Sequence, residues 1–133
     1  RSDPLYPFGY GLGYTSFGFD ELEVQPAEDG ARVSVQVTNT GKRRGTCVAQ
    51  LYVQDCVASL TRPARELKGF QRAELDPGET RRLVFDLGFE ELSFYAKGGQ
   101  RVVEPGEFKV WVGADCRAEL EGSFRVERLQ RTD

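Results

Sequence analysis

Histidine and methionine are both absent from the 133 residues. Without histidine there is no Ser-His-Asp or Cys-His catalysis and no imidazole metal ligand. Cysteine is scarce: Cys47, Cys56 and Cys116 are an odd set, with no Cys-x-x-Cys pair for zinc and no close, even spacing for a disulfide framework. An excess of positive charge is missing too. Eighteen Lys and Arg face 21 Asp and Glu, a net charge of −3, so the basic footprint of a nucleic-acid binder is lacking. No apolar run approaches the ~20 residues of a membrane span. Neither nucleic acid nor membrane is expected as a partner, and no cofactor or metal is expected. The start Arg1-Ser2-Asp3-Pro4, with no methionine anywhere, reads as a piece processed or excised from a longer chain. A missing secretory signal at such a start leaves the compartment open.

What is present is alternation with period two. Val33, Val35 and Val37 alternate with Arg32, Ser34, Gln36 and Thr38, the pattern of a half-buried strand. Leu83, Phe85 and Leu87 repeat it, with Val84 as the one apolar residue on the outer side. Phe108, Val110 and Val112 do so again, and Leu120, Phe124 and Val126 are spaced for a last strand. Residues 47–53, apolar on nearly both faces, suggest a central strand.

Turn chemistry recurs between these runs at Asp29-Gly30, Asn39-Thr40-Gly41, Asp76-Pro77-Gly78, Gly98-Gly99 and Pro105-Gly106. Short strands so punctuated predict an all-β antiparallel sandwich of seven to eight strands. They fall near 17–24, 31–39, 46–54, 66–75, 80–87, 100–103, 107–113 and 120–127. One helical turn is expected around Phe89 to Leu92. The domain is placed at 17–127, after a linker at 1–16 and before a fraying tail at 128–133.

The leader differs from the rest. Leu5-Tyr6-Pro7-Phe8-Gly9-Tyr10-Gly11-Leu12-Gly13-Tyr14 holds four aromatics and three glycines. Proline and closely spaced glycines argue against a regular element. That much ring surface is costly in water, so the leader is expected to dock, on this sandwich or on a neighbouring domain.

These residues carry a resemblance. Pro4 to Leu12 is similar to the segment that joins the second domain of glycoside hydrolase family 3 enzymes to their C-terminal fibronectin type III-like domain. The similarity continues through Val37-Thr38-Asn39-Thr40-Gly41-Lys42 and Gln50-Leu51-Tyr52-Val53. It resumes at Thr61-Arg62-Pro63, Glu66-Leu67-Lys68-Gly69-Phe70 and Leu75-Asp76-Pro77-Gly78-Glu79-Thr80. It ends with Glu104-Pro105-Gly106-Glu107-Phe108 and Val112-Gly113. Gly13 and Ser16 depart from it, standing where serine and threonine are common. The resemblance implies an immunoglobulin/fibronectin type III-like form for the sandwich and a β-glucosidase- or β-xylosidase-like parent, whose nucleophilic aspartate lies on an (α/β)8 barrel and whose acid/base usually comes from the following domain. It therefore implies no catalytic residue here. The residues agree, since hydrolysis needs two carboxylates held about 5–10 Å apart across a cleft, and a small filled sandwich gives no reason for one.

Several motifs have competing readings. Gly9-x-Gly11-x-Gly13 lacks the strand before and the helix after that a phosphate loop needs. Leu5, Tyr6, Pro7, Phe8, Tyr10, Leu12 and Tyr14 are candidates for contact with the parent's catalytic domains, carbohydrate stacking being the alternative. Trp111 falls opposite Phe108, Val110 and Val112. It either covers a cross-strand neighbour such as Tyr52 or joins that contact. Arg62 lies in an 11-residue connection, 55–65, long enough to be functional; pairing with a carboxylate of another domain stands against simple solvation. If the strands at 46–54 and 107–113 are antiparallel neighbours, a Cys47–Cys116 disulfide is sterically allowed, free thiols being the default. Phe108 offers no hydroxyl for an immunoglobulin-type tyrosine corner.

Overall fold

A computed structural model describes residues 15–56, 65–114 and 120–131. Strand β1 (Phe17–Ala27) pairs antiparallel with β2 (Gly30–Asn39), and β2 pairs with β5 (Thr80–Leu87). The second layer runs β4 (Glu66–Leu75), β3 (Gly45–Asp55), β8 (Gly106–Gly113), β9 (Leu120–Val126). A small third sheet joins β6 (Phe94–Tyr95), β7 (Arg101–Val103) and β10 (Gln130–Arg131). Between β5 and β6 lies the single turn α1 (Phe89–Leu92), whose Glu91 carboxylate accepts from the Gly88 amide at 2.8 Å. The all-β sandwich read from the sequence is the fold.

Alternation explains the core. Val33, Val35 and Val37 of β2, Leu83, Phe85 and Leu87 of β5, Ala49, Leu51 and Val53 of β3, and Phe108, Val110 and Val112 of β8 are all buried between the sheets. Phe108 stacks on Phe124 with ring centroids 5.2 Å apart. β3 is central by its pairing, as expected, although Val48, Gln50 and Tyr52 remain partly open on its outer side.

Two irregularities break the alternation. On β1 the register shifts between Asp20 and Glu23, with Glu21 at φ 53°. This bulge turns odd-numbered Phe17 and Phe19 and even-numbered Leu22 and Val24 toward the same core. On β4 the register shifts opposite Leu51/Tyr52, so that Gly69 faces Leu51 while Leu67 faces Tyr52. There the effect is outward: Leu67 and Phe70, of opposite parity, share the solvent side.

Both seams between the layers are closed. Val24 and Leu22 of β1 sit over Gly122 of β9, where a Cβ would lie 2.8 Å from Val24. On the other flank the Gln71 amide of β4 donates to the Val84 carbonyl of β5 at 2.9 Å. At one end, the side chain of Asn39, 1% exposed, accepts from Thr15 Oγ1 (2.7 Å) and the Gly41 amide (2.9 Å) and donates to the carbonyls of Arg43 (2.8 Å) and Leu75 (2.9 Å). Within the stretch 128–133, read from sequence as a tail, the backbone of residues 130–131 pairs with Val103 and Val102. Two-residue strands such as β6 and β10 are too short to leave a periodic signal.

Candidate functional site

Of the residues expected from sequence to make the interdomain contact, Trp111 alone lies among the described ones. Leu5, Tyr6, Pro7, Phe8, Tyr10, Leu12, Tyr14, Arg62 and Cys116 lie outside them. Trp111 is on the outer face of β8 and is the register partner of Tyr52, the neighbour proposed from alternation. Tyr52 is in turn the partner of Leu67, so the three residues form a row across β8, β3 and β4.

Around that row the four-stranded sheet turns an apolar surface outward. Phe70 is 65% exposed, Leu67 48% and Val48 37%. Phe70 stands opposite Gln50, whose side-chain oxygen accepts from the Tyr52 hydroxyl at 2.7 Å. The Arg65 guanidinium lies 4.7 Å from the Trp111 ring centroid and 5.8 Å from that of Tyr52, a cation–π arrangement on both. Besides Arg65, charges stand around these rings, where Arg72 is the partner of Val48 and Lys109 lies 4.0 Å from Glu121. An aromatic centre with arginine and a polar border is the composition of a protein contact surface. Sequence reading missed Phe70, Leu67 and Arg65. Phe70 was legible, since Ala73 and Leu75 set the inward parity of β4. Leu67 needed the bulge, and Arg65 a contact 46 residues away.

The outer face of the β1–β2–β5 sheet is polar. Arg32 pairs with Asp86 at 2.9 Å, Thr38 bonds Thr80 at 2.8 Å and Arg82 donates to Ser34 at 2.9 Å. Two open grooves lie among the described residues. One, of about 790 Å³, is lined by Glu66, Phe94, Tyr95, Lys97 and Glu104, the other, of about 450 Å³, by Gln25, Pro26, Asp29, Arg32 and Asp86. No group of three or more Cys, Asp or Glu able to hold a metal occurs among the described residues.

Cys47 and Cys56 are free thiols. Burial pushes Cys47 up to about 11. Cys56 is raised chiefly by burial and then by the Glu107 charge. Thiolates are the reactive form, so neither is poised as a nucleophile.

Comparison with known proteins places the chain. The family model for the fibronectin type III-like domain matches residues 47–116. A periplasmic β-glucosidase of Salmonella typhimurium is 43% identical over 127 residues, covering 92% of this chain and 17% of the relative. A β-xylosidase of Formosa agariphila is 46% identical over 120 residues, covering 87% and 17%. The structure of β-glucosidase 3B from Thermotoga neapolitana in complex with α-D-glucose superposes with a TM-score of 0.82 at 37% identity, over 98% of this chain and 18% of that one. The chain thus spans about a sixth of the proteins it matches. It belongs to the fibronectin type III-like domain family, in the form found within glycoside hydrolase family 3 enzymes.

Proposed function

We propose that the chain is a non-catalytic accessory domain of a family 3 exo-β-glycosidase, bracing the catalytic domains of a polypeptide that hydrolyses β-glucosides or β-xylosides. Coverage is the observation that carries this reading: nearly all of the chain aligns with a minor segment of long β-glucosidases and β-xylosidases. The rings of the leader, Arg62 and Trp111 are assigned to contact within that longer polypeptide. Work as an independent carbohydrate-binding module is the competing idea. Arg65 over the Trp111 ring counts against it, because a guanidinium there competes with a sugar for the aromatic face. Two measurements separate them. In the longer enzyme, replacing Tyr6, Phe8 and Tyr10 together by alanine lowers the thermal midpoint by several degrees while kcat stays near its starting value; an unaltered midpoint argues against bracing. Calorimetric titration of the isolated chain with cello- and xylo-oligosaccharides gives no binding heat if the domain braces, and a saturable heat if it is a binding module.

A further inference from the structure

We propose that the end of the sandwich formed by the β2–β3 and β4–β5 turns docks against a carboxylate-bearing surface of the longer polypeptide, with Lys42 and Arg43 as the charges that meet it. This rests on the accessory reading given above and names the part of the domain that makes the contact and the chemistry it seeks. The first argument is charge. The acids of and beside the β4–β5 turn are already matched: Arg44 holds Asp76 at 2.6 Å and Glu74 at 3.3 Å, and Arg81 holds Glu79 at 3.0 Å. Lys42 and Arg43 are exposed and form no ion pair among the described residues. In a chain of net charge −3, two adjacent unmatched cations are a local excess of the opposite sign. Their complement is a carboxylate, which a guanidinium can hold through two parallel hydrogen bonds.

The second argument is rigidity. The Asn39 side chain donates to the Arg43 carbonyl at 2.8 Å and to the Leu75 carbonyl at 2.9 Å, and accepts from the Gly41 amide at 2.9 Å. Its backbone amide donates to the Glu79 carbonyl at 3.0 Å, and its carbonyl accepts from the Gly78 amide at 2.8 Å. The backbone on both sides of Lys42 is thereby tied to the β4–β5 turn, and the two turns form one preformed surface. Such a surface loses less conformational entropy on association than a loose loop does.

The third argument is the place where the chain enters. Thr15 Oγ1 donates to Asn39 at 2.7 Å, and the Thr40 amide donates to the Ser16 carbonyl at 2.9 Å. A Cβ at Gly41 or at Gly45 would overlap the Thr15 side chain. Those two glycines bracket Lys42, Arg43 and Arg44, so the cations flank the point at which the chain joins the sandwich. In the accessory reading the catalytic part precedes this domain. The covalent link then holds that part near this end and raises its effective concentration there.

Charge reversal tests the contact. In the longer enzyme, Lys42→Glu with Arg43→Glu should lower the thermal midpoint by about 2–4 °C at low salt, and the loss should shrink as added salt screens it. In the 133-residue chain alone, the same pair should leave the midpoint within about 1 °C of the parent, because both side chains are exposed. The neutral pair Lys42→Gln with Arg43→Gln should fall between parent and reversal in the longer enzyme. Acetylation gives a second readout: the Lys42 amine should react roughly fivefold more slowly in the longer enzyme than in the chain alone, as expected for a side chain covered by a contact. An equal loss of midpoint in both settings overturns the proposal, since the cations would then serve the domain's own fold. An unmoved midpoint in the longer enzyme, or equal labelling of Lys42 in both settings, overturns it too. So does a parent 133-residue chain that sediments as a dimer and becomes monomeric on charge reversal, which would place a second copy's acids on this end. If charge reversal leaves the longer enzyme unmoved while the Tyr6, Phe8 and Tyr10 triple variant destabilises it, this surface is not the contact and the accessory reading stands. If neither variant moves it, both readings fall.

Discussion

The two sheets are alike on the inside and unlike on the outside. Both line the core with alternating Val, Leu and Phe. Outward, the β1–β2–β5 sheet presents Arg32–Asp86 and Thr38–Thr80, while its partner presents Phe70, Leu67, Tyr52 and Trp111. Each sheet carries one bulge, and the bulges work in opposite senses. At Glu21 the slip keeps four apolar side chains inward; opposite Leu51/Tyr52 it brings two apolar side chains outward together. A one-residue slip changes which face a side chain joins, so the same device can complete a core or assemble a surface patch.

The inner equivalence is tested by the largest effect. Phe108→Ala and Phe85→Ala should each cost about 3–5 kcal/mol in urea unfolding; a value much smaller for one would show a looser layer. Asn39→Ala comes next, at roughly 2–3 kcal/mol, because it strands buried partners on both sides of the joint between the layers. A loss no greater than that of an exposed residue would sever the corner's role. The outer contrast is sharpened by pairing Phe70→Ser with Val84→Ser. Both side chains are substantially exposed, so each change should stay within about 0.5 kcal/mol of the parent in urea unfolding.

Alkaline titration probes the buried side of β3. The Cys47 thiol is raised from its ordinary value near 9 to about 11. Its contribution to stability is therefore full below pH 9 and lost as the pH climbs toward 11, because the unfolded chain releases that proton first. Cys47→Ala should flatten that part of the profile. The smallest effect belongs to the polar face. Breaking Arg32–Asp86 should leave the urea midpoint nearly unmoved, and any coupling in a double-mutant cycle should fade with added salt.

Most of the fold was legible because it rests on local patterns. Val33-x-Val35-x-Val37 located β2, turn residues separated the strands, and Phe89 to Leu92 is the one helical turn among the described residues. What was hidden depends on partners distant in the chain. Asn39 reads as a turn residue until Leu75, 36 positions later, is seen accepting from it. The Leu67 placement needed a register slip that composition does not encode, and the Arg65–Trp111 contact is a matter of topology. Trp111 was correctly put opposite Phe108 by parity, yet parity alone did not disclose the apolar company it keeps.

The amide of Gln71 on the Val84 carbonyl, together with the seat of Val24 and Leu22 over Gly122, has a bearing on assembly. Outermost strands are where foreign chains add themselves to a sheet, the route to strand exchange and fibrils. Here one flank is occupied by a side chain and the other is folded against its own opposite layer. Each of these contacts takes up part of an edge that would otherwise stand open to an added strand.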